Sequence, residues 1–185
     1  MPDESPAVWL VLMKGFPATG KSELAYALAR RLRWPLVDKD DIKDVILSCP
    51  DSNRLSYEAM WNVAGRQLRL GVSVIVDSPL TYPLAFATAT ALAERYGARV
   101  LVVETQLEER LWQQRLEERD ASASTHKIAS WEDMQNMLAA YDGCWRYPIP
   151  DAMHMPVDAS LPVMELMERV LSRLGHPERH PTHTP

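Results

Sequence analysis

Val8-Trp9-Leu10-Val11-Leu12-Met13 and, one residue on, Gly15-Phe16-Pro17-Ala18-Thr19-Gly20-Lys21-Ser22 decide the architecture of this chain. The first stretch is an apolar run of strand length. The octapeptide fits G-x-x-x-x-G-K-[ST], whose backbone N–H groups cradle nucleotide phosphates while Lys meets the β/γ-phosphates and the hydroxyl meets Mg²⁺. Ser22 to Leu32 is rich in Ala and Leu and reads as a helix. Strand, glycine loop and helix together are the context this motif requires. All eight residues, Gly15 to Ser22, are therefore nucleotide-binding candidates. Ala18 stands where a glycine-richer loop has Gly, and its small side chain still permits tight wrapping.

Outward from the loop, apolar runs alternate with helical patterns, as a parallel α/β sheet requires. Short strands are expected at Pro35 to Val37, Val72 to Val76 and Ala98 to Glu104, with a weak fifth near Ala152 to Val157. Between them, helices are expected from Ile42 to Leu47, Ser56 to Leu70, Pro83 to Tyr96, Leu107 to Arg119 and Ser130 to Tyr141, with a last one from Pro162 to Leu174. Ser130 and Asp133 have the spacing of a capping box. Ala121 to Thr125 has the small-residue composition of a mobile loop. Residues 1–7 read as a flexible leader, 8–174 as one domain with a lid at about 105–130, and 175–185, rich in Pro and His, as a disordered tail.

A chain of 185 residues accommodates one domain with a substantial core. Its net charge of −5 argues against a broad nucleic-acid surface, leaving room only for a local basic cleft. Cys49 and Cys144 lie far apart with no paired metal-ligand spacing and read as free thiols. The N-terminus has no basic segment and no apolar stretch is long enough to span a membrane, so a cytoplasmic protein is expected.

The chemistry gathers around the expected strand ends. Lys21 would neutralise phosphate oxygens during transfer, and Ser22 would ligate Mg²⁺. Asp77 closes the third hydrophobic run, as a Walker-B acid does, and is the second metal candidate; an Asp before Ser-Pro also suits a turn. Residue 78 is Ser rather than the Glu that activates water in many P-loop motors, and no Asn-Lys-x-Asp occurs. A dedicated ATPase and a switch GTPase are both disfavoured. Asp40, just beyond the second strand, is the candidate base for an attacking hydroxyl, with Asp38 as runner-up, although such acids also cap helices. Lys43, one turn on, and Arg66 are candidates for substrate binding; Arg54, Tyr57 and Arg69 could equally border an acceptor or serve solubility. Arg115 and Arg119 share a helix face and would bring positive charge to the transferring group, unless they only lace to neighbouring Glu residues. His126 and Lys127 are weaker candidates, and the six Trp read as packing residues.

Taken together these residues resemble the small P-loop kinases grouped as AAA-type ATP-binding proteins, which include polynucleotide 5′-hydroxyl kinases, zeta-toxin-like kinases and antibiotic phosphotransferases. The resemblance spans roughly residues 8–174. Asp38-Lys39-Asp40-Asp41-Ile42-Lys43 is similar to the polynucleotide-kinase segment whose acid activates the acceptor; Asp40 matches that acid, whereas Lys43 replaces an Arg. Arg115-Leu116-Glu117-Glu118-Arg119 is similar to the R-L-x-x-R lid signature. The resemblance implies a sheet of strand order 2-3-1-4-5 and ATP- and Mg²⁺-dependent phosphorylation of a hydroxyl. A small-molecule acceptor is the leading expectation. A polynucleotide 5′-hydroxyl kinase, and an ATP-binding regulatory module without a small-molecule acceptor, are the alternatives.

Overall fold

The computed structural model describes residues 7–118, 128 and 130–176. Residues 1–6 of the expected leader, the tail beyond His176, Arg119, Ala121 to Thr125, His126 and Lys127 lie outside these residues. Five strands, β1 (Trp9–Lys14), β2 (Leu36–Asp38), β3 (Val74–Asp77), β4 (Arg99–Gln106) and β5 (His154–Asp158), form one parallel sheet. Its order is β2-β3-β1-β4-β5, as the resemblance implied. Seven helices join them among the described residues: α1 (Lys21–Leu32), α2 (Lys39–Val45), α3 (Ser52–Arg69), α4 (Pro83–Arg95), α5 (Glu109–Glu117), α6 (Trp131–Tyr141) and α7 (Val163–Leu174).

Every residue of β1 and β3 is buried, because helices cover both faces of the sheet. Alternation along β1 divides the core. Trp9, Val11 and Met13 face Leu24, Leu28, Val170 and Leu171 of α1 and α7, whereas Leu10 and Leu12 face Met60, Ala64 and Ala89 of α3 and α4. Each fully buried Leu, Val or Met contributes about 1.5–3 kcal/mol relative to exposure, so this two-sided core sets the positions of the strand ends. The chain leaves β1 toward β2 on one side and passes from β3 to β4 on the other, so order reverses at β1. Open α/β sheets place their ligand crevice outside the carboxyl ends at such a point.

Two boundaries bear on function. Asp38 and Asp77 were expected just after their strands or at their ends; both are the last paired residues, opposite each other in the β2–β3 register. The expected fifth strand begins two residues later, at His154, and carries Pro156 at the sheet edge, where a missing N–H costs no ladder bond. Ser130 does cap α6, its Oγ accepting from the Asp133 backbone N–H at 3.1 Å and donating to the Asp133 carboxylate at 2.7 Å.

Candidate active site

The glycine loop turns tightly over the end of β1. Gly15 has φ 144°, and a Cβ there would collide with the Thr105 hydroxyl and come within 2.9 Å of the Thr105 carbonyl oxygen, so no other residue fits. Thr19 Oγ1 bonds Thr105 Oγ1 at 2.7 Å and the Phe16 carbonyl at 2.8 Å, which closes the loop on itself and on β4. Gly20 (φ 83°) leads into α1, whose N-terminus has no side-chain cap. The first-turn N–H groups are thereby left for an anion at the positive end of the helix dipole. Lys21 Nζ donates to the Phe16 carbonyl at 3.2 Å, folding the lysine back across the loop. Ala18 adopts φ 62°, a left-handed conformation that explains why a glycine-richer loop would wrap more easily.

The loop is braced from outside. Trp112 of α5 donates its indole N–H to the Pro17 carbonyl at 2.8 Å and stacks on Phe16 with centroids 5.2 Å apart. Trp131 of α6 meets Trp112 edge-on at 5.1 Å, and Phe16 and Ala18 pack against the Trp112–Leu116–Met134 cluster. Trp112 and Trp131 thus pack against each other, and Trp112 against the loop. Arg115 lies on the same helix and donates to the Ala159 carbonyl at 2.9 Å, which holds its guanidinium near Gly20.

A cavity of about 790 Å³ opens along this loop. At one end it meets Lys21, Ser22, Arg115 and the turn Ala159–Pro162; at the other it meets Asp38, Asp40, Lys43, Asn53, Tyr57, Tyr82 and Tyr141. Asp77 and Ser78 lie between the two ends. Both are 3% exposed, and among the described residues Asp77 Oδ1 and Ser78 Oγ have no hydrogen-bond partner. An orphaned buried carboxylate oxygen costs free energy unless a cation or water completes it. Among the described residues no group of three or more His, Cys, Asp or Glu forms a metal cage. Ser22 with Asp77 fits instead a Mg²⁺ ion held chiefly by phosphate and water.

The acidic segment after β2 divides its labour. Asp38 caps α2, accepting from the Asp40 backbone N–H at 2.7 Å. Burial, and then the neighbouring Asp77 carboxylate, push its carboxyl up to about 6. The Asp40 carboxylate pairs at 2.9 Å with the buried Lys39 ammonium, which also lies over the Tyr57 ring. Desolvation lowers the Lys43 ammonium from its ordinary value, with Lys39 adding repulsion. Tyr57 is raised by burial and then by the nearby Tyr141, Asp40 and Tyr82, and all four residues line the same cavity.

Not every sequence candidate arrives here. Arg66 does not line the cavity: it is exposed in the last turn of α3, nine residues and about 13 Å along the helix from Tyr57. Arg54 is spent on Asp51 and Glu58 at the surface, and Arg69 is exposed. The residues that sequence reasoning missed are Lys39, Asn53, Thr81, Tyr82 and Tyr141. Asn53 carried one legible signal, its i, i+4 spacing to Tyr57 on a single helix face. Tyr82 and Tyr141 come from separate elements and meet only in three dimensions, with ring centroids 5.6 Å apart.

A family model described as AAA domain matches residues 10–142. A search of curated proteins found no match. Among solved structures the chain is similar to a protein of Chloroflexus aurantiacus provisionally assigned as a kinase, with 21% identity, a TM-score of 0.72, and coverage of 91% of this chain and 99% of that one. It is similar to a sugar kinase from Janibacter sp. HTCC2649, with 19% identity, a TM-score of 0.67, and coverage of 92% and 95%. The third is the Mycobacterium tuberculosis APS kinase in complex with AMPPNP and APS, with 16% identity, a TM-score of 0.65, and coverage of 92% and 99%. At these identities the likeness is one of fold.

Proposed function

The chain belongs to the AAA domain family, and from that premise we propose that it is an ATP- and Mg²⁺-dependent phosphotransferase that moves the γ-phosphoryl group to a hydroxyl of a small molecule. One observation carries this reading: a single cavity joins the phosphate loop to a second, differently built end lined by acids, Lys43 and tyrosine hydroxyls. An enzyme that only hydrolysed ATP would have no use for that second end. The neighbours that carry kinase activities in their names share this fold and support the same class of chemistry.

The residues divide into two halves. Gly15 to Ser22 and the α1 N-terminus would hold the triphosphate, and Lys21 would offset charge on the β/γ-phosphates. Ser22 and Asp77 would hold Mg²⁺, which would supply positive charge to the phosphate oxygens. Asp40, oriented by Lys39, accepts the proton of the acceptor hydroxyl; the acceptor oxygen forms a bond to Pγ as the bond to the bridging oxygen breaks and ADP departs with that electron pair. Arg115, anchored on the Ala159 carbonyl, is poised to stabilise charge on the transferring group, with Arg119 the second candidate from the same segment. Lys43 would hold the acceptor. The lid role for residues at about 105–130 is part of this proposal, and α5, which lies within that segment, rests on the loop through Phe16.

A comparison of variants tests the division. Lys21→Met and Asp77→Asn should weaken binding of ATP·Mg²⁺ measured by calorimetry. Asp40→Asn should bind ATP·Mg²⁺ normally yet lose acceptor phosphorylation by about a hundredfold or more. Undiminished transfer by Asp40→Asn would remove Asp40 from the reaction.

A further inference from the structure

Three titratable side chains that the phosphate cavity does not use are gathered on the α3/α4 side of the sheet. Lys14, the last residue of β1, is 5% exposed and pairs with Glu104, its register partner on β4. The second oxygen of Glu104 meets His154 Nε2 of β5 at 2.7 Å. Such a group is poor insurance for stability, since a buried ion pair is often no better than an apolar replacement. These residues line a second cavity, of about 470 Å³, that reaches the rear of the phosphate loop at Gly15, Phe16 and Thr19. That size lies within the range of small-molecule sites, roughly 300–1,000 Å³.

The lining selects a ligand. Glu104 is engaged through both oxygens, so among the described residues the cavity offers no unengaged carboxylate. Donors predominate: the Lys14 ammonium has three N–H groups, and the exposed Arg146 guanidinium, stacked 5.3 Å from the Trp145 centroid, faces the same space. The walls are Trp112, Trp145 and Tyr147, with the Lys14 ammonium 5.7 Å from the Tyr147 centroid. We infer that this cavity is a second ligand site, separate from the nucleotide cavity, that takes a small aromatic carboxylate: its ring against the indole and phenol walls, its anion toward Lys14 and Arg146.

An occupant would press on the nucleotide site. Pro79 and Thr81 line both cavities, and between them Leu80 is fully buried at φ 48°, a left-handed conformation unusual for leucine. Its carbonyl accepts from Tyr147 Oη at 2.7 Å, and the Pro79 carbonyl accepts from the Gly15 N–H at 3.4 Å. These bonds connect Tyr147, a wall of this cavity, to the segment that follows Asp77.

Titration of the full chain with indole-3-carboxylate and benzoate, against the neutral analogues indole and benzyl alcohol, tests this by calorimetry and tryptophan fluorescence. The carboxylates should bind at one site per chain, remain bound when AMPPNP and Mg²⁺ saturate the other cavity, and exceed their neutral analogues about tenfold in affinity. Lys14→Met and Arg146→Gln should each weaken binding about tenfold while leaving AMPPNP binding intact. If Lys14→Met does not fold, Arg146→Gln decides alone, since its side chain is at the surface. No binding at millimolar carboxylate, equal binding of the neutral analogues, simple competition with AMPPNP, or indifference to Arg146→Gln would each overturn the inference.

Discussion

Replacing Asp38 by Asn should stabilise the metal-free protein, and only above a definite pH. Asp38 sits at the end of β2 opposite Asp77, and burial together with that carboxylate raises its folded value from 3.8 to about 6. A carboxyl raised on folding binds more protons in the native state, so stability is intact below the unfolded value and is lost as pH climbs through the folded one. Undiminished, the displacement is worth about 3 kcal/mol; water reaching this half-buried side chain reduces it to roughly 1–2 kcal/mol. Asn keeps the shape and an acceptor for the Asp40 N–H, so the α2 cap survives. Thermal unfolding in EDTA should show no difference between wild type and Asp38→Asn at about pH 3, below both values. Above pH 7 the variant should unfold about 2–8 °C higher, the difference developing between pH 4 and 6. A constant difference across pH, or a variant less stable at pH 7, would refute the reasoning.

Ala18→Gly should add about 0.5–1 kcal/mol to stability in urea unfolding, by relieving the left-handed φ of 62°, with nucleotide affinity retained. Trp112→Phe removes the indole donor from the Pro17 carbonyl while keeping a ring against Phe16; a stability loss of about 1–3 kcal/mol and weaker ATP binding by calorimetry are expected. Arg66→Ala should leave steady-state kcat and KM unchanged, because that side chain lies outside the cavity.

The donor half of the proposed site is legible in the sequence because it is local. Eight consecutive residues carry the loop, its flanking apolar run supplies β1, and the helix that follows is continuous with the motif. Sheet order came from the resemblance, and the strands themselves from short β-branched runs. Asp77 was legible as the end of such a run. The acceptor half was not, because it is assembled from β2, α2, α3, the β3–α4 turn and α6, and no local pattern links Tyr57 to Tyr141 across that distance in sequence. Arg66 falls outside the cavity lining for the complementary reason: its place on a helix does not say how far along the axis the cavity extends. The Lys14–Glu104–His154 group was invisible for a third reason. It depends on the register of three strands, and Lys14 reads in sequence as the polar end of an apolar strand.

The most direct measurement follows the γ-phosphate of ³²P-labelled ATP when the protein is incubated with Mg²⁺ and a library of hydroxyl-bearing small molecules and 5′-hydroxyl oligonucleotides. Label should move to an organic phosphomonoester of a small molecule, with ADP formed in equal amount and only when that acceptor is present. Label released solely as inorganic phosphate, carried to oligonucleotides alone, or retained on bound ATP with every acceptor would contradict the assignment of this cavity to phosphoryl transfer onto a small molecule.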